Sequence, residues 1–475
     1  MTAPTRGLSR RTVATYAIGS LGTGGFATLP GLVLIYFMTD TLGIAALAAG
    51  LLVTLAKVWD VIIDPVIGAR SDRSLAVTGT RRRFMVLGAV TLPVFFIATF
   101  AVPAGLDPFI AGGWVFVAFV LAATSFSLFQ VPYIALPAEL TTSYHERTRL
   151  ISWRVVVLTF AILLFGAGGP ALRSLGGGDQ HLGYLLMAVV AGLLIGGGLF
   201  ASAYAAPKCA PVDAPRTSVL ENYRAGRDAL RRSQPFRALL GTFALQGLAT
   251  GLMLAGAQYV ATWVLKSEDA VTFIFVALIA PALIVTPIWQ KIAGRLGKER
   301  TFLIASSLYG IAAFAMLGLV WAPGPWVYLP VALAGAAYAG MQSLPMAMLP
   351  DVISHDAARR GAAGDGATGG GAGSAGTFGG VWTAGETTGM ALGATVLTVI
   401  LAATGYAEAT AGSIVWQSAA AVTGIVVSFS IVPAVIIALS LWTFSQYPLR
   451  RADIDGPPAA GSGGTDGSRA QGSAA

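Results

Sequence analysis

Residues 43–69 read GIAALAAGLLVTLAKVWDVIIDPVIGA and run directly into Arg70-Ser71-Asp72-Arg73. An apolar run of this length covers about 30 Å of hydrocarbon at 1.5 Å per helical residue, so it reads as a transmembrane helix. The basic residues that end it mark a water-facing boundary. Working outward, the same character recurs at residues 14–39, 85–102, 108–137, 150–170, 182–206, 236–265, 270–292, 301–321, 326–349, 377–403 and 414–444, which makes twelve spans. The chain of 475 residues is 55% hydrophobic and 11% charged, with a mean hydropathy of +0.72. Soluble domains carry about 25% charged residues, so the solvent for most of this surface is lipid.

The net charge of +8 and a pI near 9.7 raise the question of a nucleic-acid partner. The positions of the basic residues answer it. Apart from Lys57 and Arg154 within spans, and Arg173 and Lys266 in loops on the far side, the Lys and Arg residues fall in the termini and in the loops on the terminal side. That asymmetry is the positive-inside signature, so the sequence predicts cytosolic termini, anionic lipid head groups as neighbours and no nucleic acid. Arg6, Arg10 and Arg11 precede a long first span without a small-residue cleavage site, which reads as an anchor and not a removed signal. The single cysteine, Cys209, rules out an intrachain disulfide and makes thiol or metal-cluster chemistry unexpected. The expectation is a monomeric, multi-pass protein of the cell (inner) membrane.

Four segments follow from this layout: an N-terminal six-helix half at 1–206, a cytosolic linker at 207–235 forming a surface-lying helix, a C-terminal six-helix half at 236–446, and a disordered tail at 447–475. The Gly-rich run 361–376 lacks the GK[ST] ending of a phosphate-binding loop and follows no strand, so it reads as a flexible cytosolic loop. A thin internal repeat relates the halves. Asp64-Pro65 to Arg73 closes the second span as Thr286-Pro287 to Arg295 closes the eighth, and Leu136-Pro137-Ala138-Glu139 answers to Leu349-Pro350-Asp351. Two parallel six-helix halves with a midplane site between them describe the major facilitator fold. In the repeat Asp60 becomes Ala282 and Asp64 becomes Thr286, so the scaffold itself does not require those carboxylates.

An Asp or Lys at the centre of a membrane helix costs about 2.5–3.5 kcal/mol on insertion scales, so Lys57, Asp60, Asp64, Arg154 and Glu386 call for a reason. Lys57, Asp60 and Asp64 share one helix face by their spacing of three and four. Asp60 lies about 15 Å from the boundary at Arg70, which is midplane depth. Two carboxylates about 6 Å apart in low dielectric take up a proton or hold a cation between them. The competing reading is a fixed packing network in which Lys57, with Arg154, neutralises the Asp pair. Glu386, with Thr383, Thr387 and Thr388, lines the cavity or is a hydrogen-bonded packing acid; Gln130, Gln246, Gln258 and Gln342 contact solute or bond between helices. The three His include His145 and His355 in charged loops, and no nucleophile–base pair stands at motif spacing, so no enzyme and no cofactor are expected.

Tyr36-Phe37-Met38-Thr39-Asp40, Lys57-Val58-Trp59-Asp60 through Asp64-Pro65 to Gly68, Asp72-Arg73 with Arg81 to Phe84, Pro132-Tyr133, Glu146-Arg147-Thr148 with Arg154, Asp351-Val352-Ile353 with Asp356, and Phe378-Gly379-Gly380-Val381-Trp382 with Gly389 together resemble the melibiose-carrier family. These are the glycoside-pentoside-hexuronide:cation symporters of the major facilitator superfamily. The resemblance implies that Asp60 and Asp64 bind the cotransported cation, and that Asp72 and Arg73 with the Arg cluster, Arg83 included, form a cytosolic gate. It also exposes departures. Where sugar-carrying members have acids in the first and fourth helices this chain has Gly24 and Gln130; the stacking aromatic is Ile134, the usual eleventh-helix Lys is Thr387, and Arg154 remains.

The leading expectation is a secondary transporter that couples Na⁺ or H⁺ (or Li⁺) at Asp60 and Asp64, with Lys57 as charge partner. Its small organic solute, by family a sugar or glycoside, would lie among Arg154, Gln130, Gln342, Glu386 and Thr387. A lysolipid-like amphiphile suits the apolar Ile134 wall. A proton-coupled exporter and a non-transporting membrane sensor or assembly protein are the other readings.

Overall fold

A computed structural model describes residues 8–141, 144–207, 219–362, 372–410 and 415–449, and the regular elements among them are helices. In chain order they are α1 (Arg10–Asp40), α2 (Ala46–Thr78), α3 (Arg82–Phe100), α4 (Pro108–Leu140), α5 (Tyr144–Ser174), α6 (Gln180–Ala203), α7 (Val219–Arg232), α8 (Gln234–Tyr259), α9 (Ala270–Leu296), α10 (Lys298–Ala315), α11 (Tyr328–Ala362), α12 (Ala372–Ala403), α13 (Ala419–Phe429) and α14 (Ile431–Phe444). Several begin on side-chain caps. Ser9 accepts from the Thr12 amide, Asp107 from that of Phe109 and Asp179 from that of Leu182, each satisfying a backbone donor that the first turn leaves open.

Eleven segments among the described residues are helical, long and apolar enough to cross a bilayer. The span expected at 326–349 makes the difference from twelve. Its helix, α11, has the length, but Gly335, Gly340, Gln342 and Ser343 dilute its apolarity. The span expected at 414–444 is broken at Ser430 (φ −126°, ψ −78°). Pro433 lacks the N–H that would continue the ladder of α13, and it sits instead in the first turn of α14, where that donor is not needed. Of the segment 207–235, residues 208–218 lie outside the described residues, and the remainder carries α7. Residues 363–371 of the Gly-rich run also lie outside, while Gly361 and Ala362 close α11 and residues 372–376 open α12, so the helices reach further than a loop reading expects. Residues 450–475 of the tail lie outside as well.

Helices α1–α6 pack on one another, α1 against α5 and α6, α3 against α4 and α6, and α2 against α4. A second group forms around α8, which packs on α12 and α14, with α11 against α9 and α10. The groups meet where α2 lies on α12, α5 on α9 and α1 on α8. Helix α7 rests on α8 and α12, burying Ala229, exposing Arg224 and pairing Arg232 with Asp356 of α11 at 3.1 Å. In lipid no hydrophobic force drives helices together, so close backbone approach does the work, and small residues permit it.

The α8–α12 contact is one such case. A Cβ added at Gly389 would run into the Ala244 carbonyl, and backbone cannot yield as a flexible side chain does. Gly389→Ala is therefore expected to destabilise the protein by about 1–3 kcal/mol, the usual cost of overpacking. The check is the melting temperature in detergent, against Gly379→Ala, which opens into free space on the same helix and should leave it unchanged.

Candidate functional site

Helix α2 meets α12 antiparallel, as successive contacts fix: the Ala46 amide to Glu408 Oε1 at 2.9 Å, Gly50 against Thr398, and a hydrogen bond between Thr54 and Thr395. From that crossing α2 carries Lys57, Asp60 and Asp64 toward the terminal end of the bundle. On α12 the same rise brings Glu386 and Thr387 level with the interval between the two Asp, about 9–15 Å from the crossing.

Lys57 Nζ donates to Asp60 Oδ2 at 3.0 Å, with side chains 30% and 12% exposed. Asp60 Oδ1 and Asp64 Oδ1 are buried without a hydrogen-bond partner. The expected shared face is therefore real, and the Lys57 clasp accounts for one of the four carboxylate oxygens. Burying an acceptor unpaired costs about 1–3 kcal/mol, so two orphan carboxylate oxygens on one face form a site short of a positive ligand. The neighbouring Trp59 is held by its indole N–H on Thr124 of α4 at 2.8 Å.

Arg154 comes from α5. Its guanidinium stands 5.2 Å from the centre of the Tyr133 ring, and its buried Nε has no partner. Tyr133 is fixed by its hydroxyl on the Tyr16 carbonyl at 2.9 Å and the Ser20 hydroxyl at 3.0 Å. Gln130, one turn before Tyr133 on α4, has a buried and unpartnered Oε1. Gly24 faces Ala161 and Leu158 of α5, and a Cβ there would overlap them. The position that carries an acid in the resembled family is here a close helix contact. From the second group Gln342 donates to the Tyr338 hydroxyl at 2.6 Å, and both line a small pocket with Glu386, Thr250, Gln246 and Met390. Gln246 also bonds Ser306 of α10 at 2.9 Å, which is the interhelical reading, whereas Gln258 bonds Thr262 one turn further along its own span at 3.1 Å.

At the terminal end Asp72 pairs with Arg81 at 2.5 Å, and Arg81 also reaches Glu139 of α4 at 2.5 Å and Ser71 at 3.0 Å. The partner of Asp72 is thus Arg81 and not Arg73 or Arg83. Gly79, with φ 70°, closes α2 and turns the chain so that Arg81, at the start of α3, points back between α2 and α4. Sequence reading named the cluster without naming its hub.

The opposite end holds what the sequence reading missed. Arg173, expected in a loop, stays in α5 and is 7% exposed. It bonds the Tyr184 hydroxyl at 3.0 Å, lies over the Tyr36 and Tyr184 rings, and reaches Glu268 of the second group at 2.8 Å. Asp40, 4% exposed at the end of α1, accepts from Tyr406 at 2.6 Å and from Thr39 at 2.5 Å. Thr39 bonds Tyr259 at 2.7 Å, its carbonyl accepts from the Ala409 amide at 2.9 Å, and Trp263 donates to the Tyr406 hydroxyl at 2.7 Å. Burial and the nearby Asp40 push the Tyr406 hydroxyl far above its ordinary pKa, so it remains a donor. The aromatic run around Tyr36 and the residue before the turn were the available signals.

The model of a family described as MFS/sugar transport protein matches residues 15–451. The chain belongs to that family. Its members are membrane transporters and not enzymes, which places this chain in the bilayer as a carrier of small solutes, within the glycoside-pentoside-hexuronide branch of the major facilitator superfamily. The uncharacterized symporter YnaJ of Bacillus subtilis is 25% identical over 91% of this chain and 90% of its own length. The glucuronide carrier protein homolog of Escherichia coli is 25% identical over 70% of this chain and 72% of its own. Among solved structures the D-xylose-proton symporter superposes with a TM-score of 0.62 at 14% identity, covering 92% of this chain and 98% of that one, which is a likeness of fold. The chain is thus an all-helical membrane transporter of the major facilitator fold.

Proposed function

We propose that this chain is a cation-coupled symporter of a small sugar-like solute, built of twelve spans in two halves at 1–206 and 236–446, with both termini cytosolic. The observation that carries the reading is the pair Asp60 and Asp64 on one face of α2, each with a buried oxygen that has no partner. A Na⁺ ion or a proton there removes the electrostatic deficit, and the solute is held between Arg154 and Gln130 on one wall and Gln342, Glu386 and Thr387 on the other. Solute and ion then each favour the conformer that binds the other, a reciprocal coupling that turns an ion gradient into accumulation. The names of the relatives, symporters and a glucuronide carrier homolog among them, support a glycoside-type solute. Asp72 with Arg81 takes the gate role that the family likeness assigned to Asp72, Arg73 and Arg83.

The test is uptake into proteoliposomes of a panel of neutral glycosides, uronides and lysolipids under separate sodium and proton gradients. Accumulation under one inward gradient, and none without it, is expected. Flux only outward against the gradient, or no flux of any solute, would count against the reading.

A further inference from the structure

We infer that the pocket around Glu386 is an ammonium site, so that the solute carries a protonated amine. The inference rests on the transport reading above and gives its solute a charge. The pocket is lined from α8, α11 and α12 alone, all of the second helix group. Gly247 sets the closeness of these helices at the acid. A Cβ there would stand 3.3 Å from the Glu386 carbonyl oxygen, so α8 and α12 meet backbone to backbone at this point.

Among the described residues no hydrogen bond or ion pair reaches the Glu386 carboxylate. The other Lys, Arg, Asp and Glu residues of 236–449 lie near the ends of the expected spans or outside them. Across the interface α2 brings Lys57, but its ammonium is held on Asp60 at 3.0 Å. A packing acid bonds a neighbouring helix, and Glu386 does not. The polar groups around it have their donors committed to protein: Thr250 to the Gly247 carbonyl at 3.0 Å, Gln342 to the Tyr338 hydroxyl at 2.6 Å and Gln246 to Ser306 at 2.9 Å. Gln246 is 2% exposed, and its buried Oε1 has no partner. A carboxylate and an amide oxygen therefore line one pocket, both short of a donor.

An acid at membrane depth without a counter-ion is costly, and the rest of the lining decides which cation matches it. Phe243, Tyr338, Met341 and Met390 close much of the pocket with rings and thioethers. A bare Na⁺ ion needs oxygens on all sides, which such a wall does not supply. An alkylammonium uses both parts of it. Its N–H groups donate to the oxygens, while the carbons beside the nitrogen pack on the thioethers and the ring faces attract the charge. Because the pocket is small and belongs to one helix group, it takes the amine end of the solute, and the remainder lies across the interface toward Arg154 and Gln130. An uncharged isostere leaves the acid unmatched, so the pocket rejects it.

Two probe pairs separate a sugar amine from the head group of an amphiphile: glucosamine against glucose, and lysophosphatidylethanolamine against lysophosphatidylglycerol of the same chain length. Binding to the purified protein is read by intrinsic tryptophan fluorescence, to which Trp382 contributes because its ring stacks on Phe243 at 4.4 Å. Flux is read in proteoliposomes under separate sodium and proton gradients. At least one amine is expected to bind about tenfold or more tightly than its amine-free partner. Glu386→Gln is expected to abolish that preference and Glu386→Asp to retain part of it, with both variants checked for an unchanged elution profile. The pair that responds identifies sugar or amphiphile as the source. Equal binding within both pairs, or an amine preference intact in Glu386→Gln, overturns the ammonium site and leaves the symport reading standing. Loss of only the sodium or proton dependence of flux in Glu386→Gln overturns it too, since Glu386 is then an ion ligand. An amine preference in binding without flux of any probe under either gradient supports the site and overturns the symport reading.

Discussion

Replacing Asp60 and Asp64 together by Asn is expected to reduce solute accumulation to the level of passive equilibration while the protein still inserts and purifies as a folded carrier. Asn keeps the shape of Asp and removes the charge that makes a cation visit the site. Neutral side chains cost less to insert than acids, which offsets part of the penalty of leaving Lys57 without its partner. The coupling between ion and solute is worth about 1–3 kcal/mol in typical linked systems, so the cation dependence of solute affinity, about 5- to 150-fold, should vanish. Asp64→Asn alone is the cleaner single change, since Asp60→Asn strips Lys57 of its 3.0 Å partner. That orphaned ammonium is 30% exposed, so its penalty is softened by solvent, and Lys57→Met in the Asp60→Asn background should restore folding yield without restoring coupling. Solute affinity measured with and without Na⁺, and at two proton concentrations, is the readout. Full accumulation by the double Asn variant would remove the pair from the mechanism and favour a fixed packing network.

How far the sequence could be read depended on whether a feature was local. Lys57, Asp60 and Asp64 were legible because helical spacing alone puts them on one face, and the structure leaves them there with two orphan oxygens. The spans were legible because apolar runs of bilayer length are a compositional property. Arg173 was not, because a Lys or Arg near a span end reads as a loop residue; only the rings of Tyr36 and Tyr184, from other helices, explain why it stays inside. The Asp72 partner was illegible for a related reason. Three adjacent arginines are equivalent in sequence, and the turn at Gly79 selects Arg81. Gly24 looked like a lost acid, and only the packing of α1 on α5 makes it a closed position. The break at Ser430 needed the backbone, although Pro433 was its hint.

Tyr406→Phe is expected to open the end of the bundle opposite the termini, and it is expected to do so far more than Glu268→Gln. Both residues tie the second helix group to the first, yet they differ in burial. Glu268 is 53% exposed, so its 2.8 Å bond to Arg173 is screened by water and contributes about 0–1 kcal/mol. Arg173 keeps Tyr184 and both rings when Glu268 is neutralised, so nothing is left orphaned. Asp40 is 4% exposed, and removing the Tyr406 hydroxyl takes away its 2.6 Å hydrogen bond while that from Thr39 remains. Leaving a buried partner short of a hydrogen bond costs about 1–3 kcal/mol, and the same change also removes the Tyr406 hydroxyl that accepts from the Trp263 indole. The closed arrangement therefore loses about 2 kcal/mol or more relative to one in which Asp40 is hydrated, which shifts the conformer ratio by about 30-fold. Because the Tyr406 hydroxyl is held far above its ordinary pKa, it donates at every pH at which the protein is studied, and the latch depends on the state of its acceptor. A single-cysteine reporter made by Thr262→Cys with Cys209→Ser, probed by an impermeant maleimide from that end, reads the opening. Its labelling rate should rise at least tenfold with Tyr406→Phe and change by less than about threefold with Glu268→Gln, in keeping with the energies above. Equal labelling in both variants would mean that the exposed ion pair and the buried hydroxyl hold the two groups equally, contrary to what their burial requires.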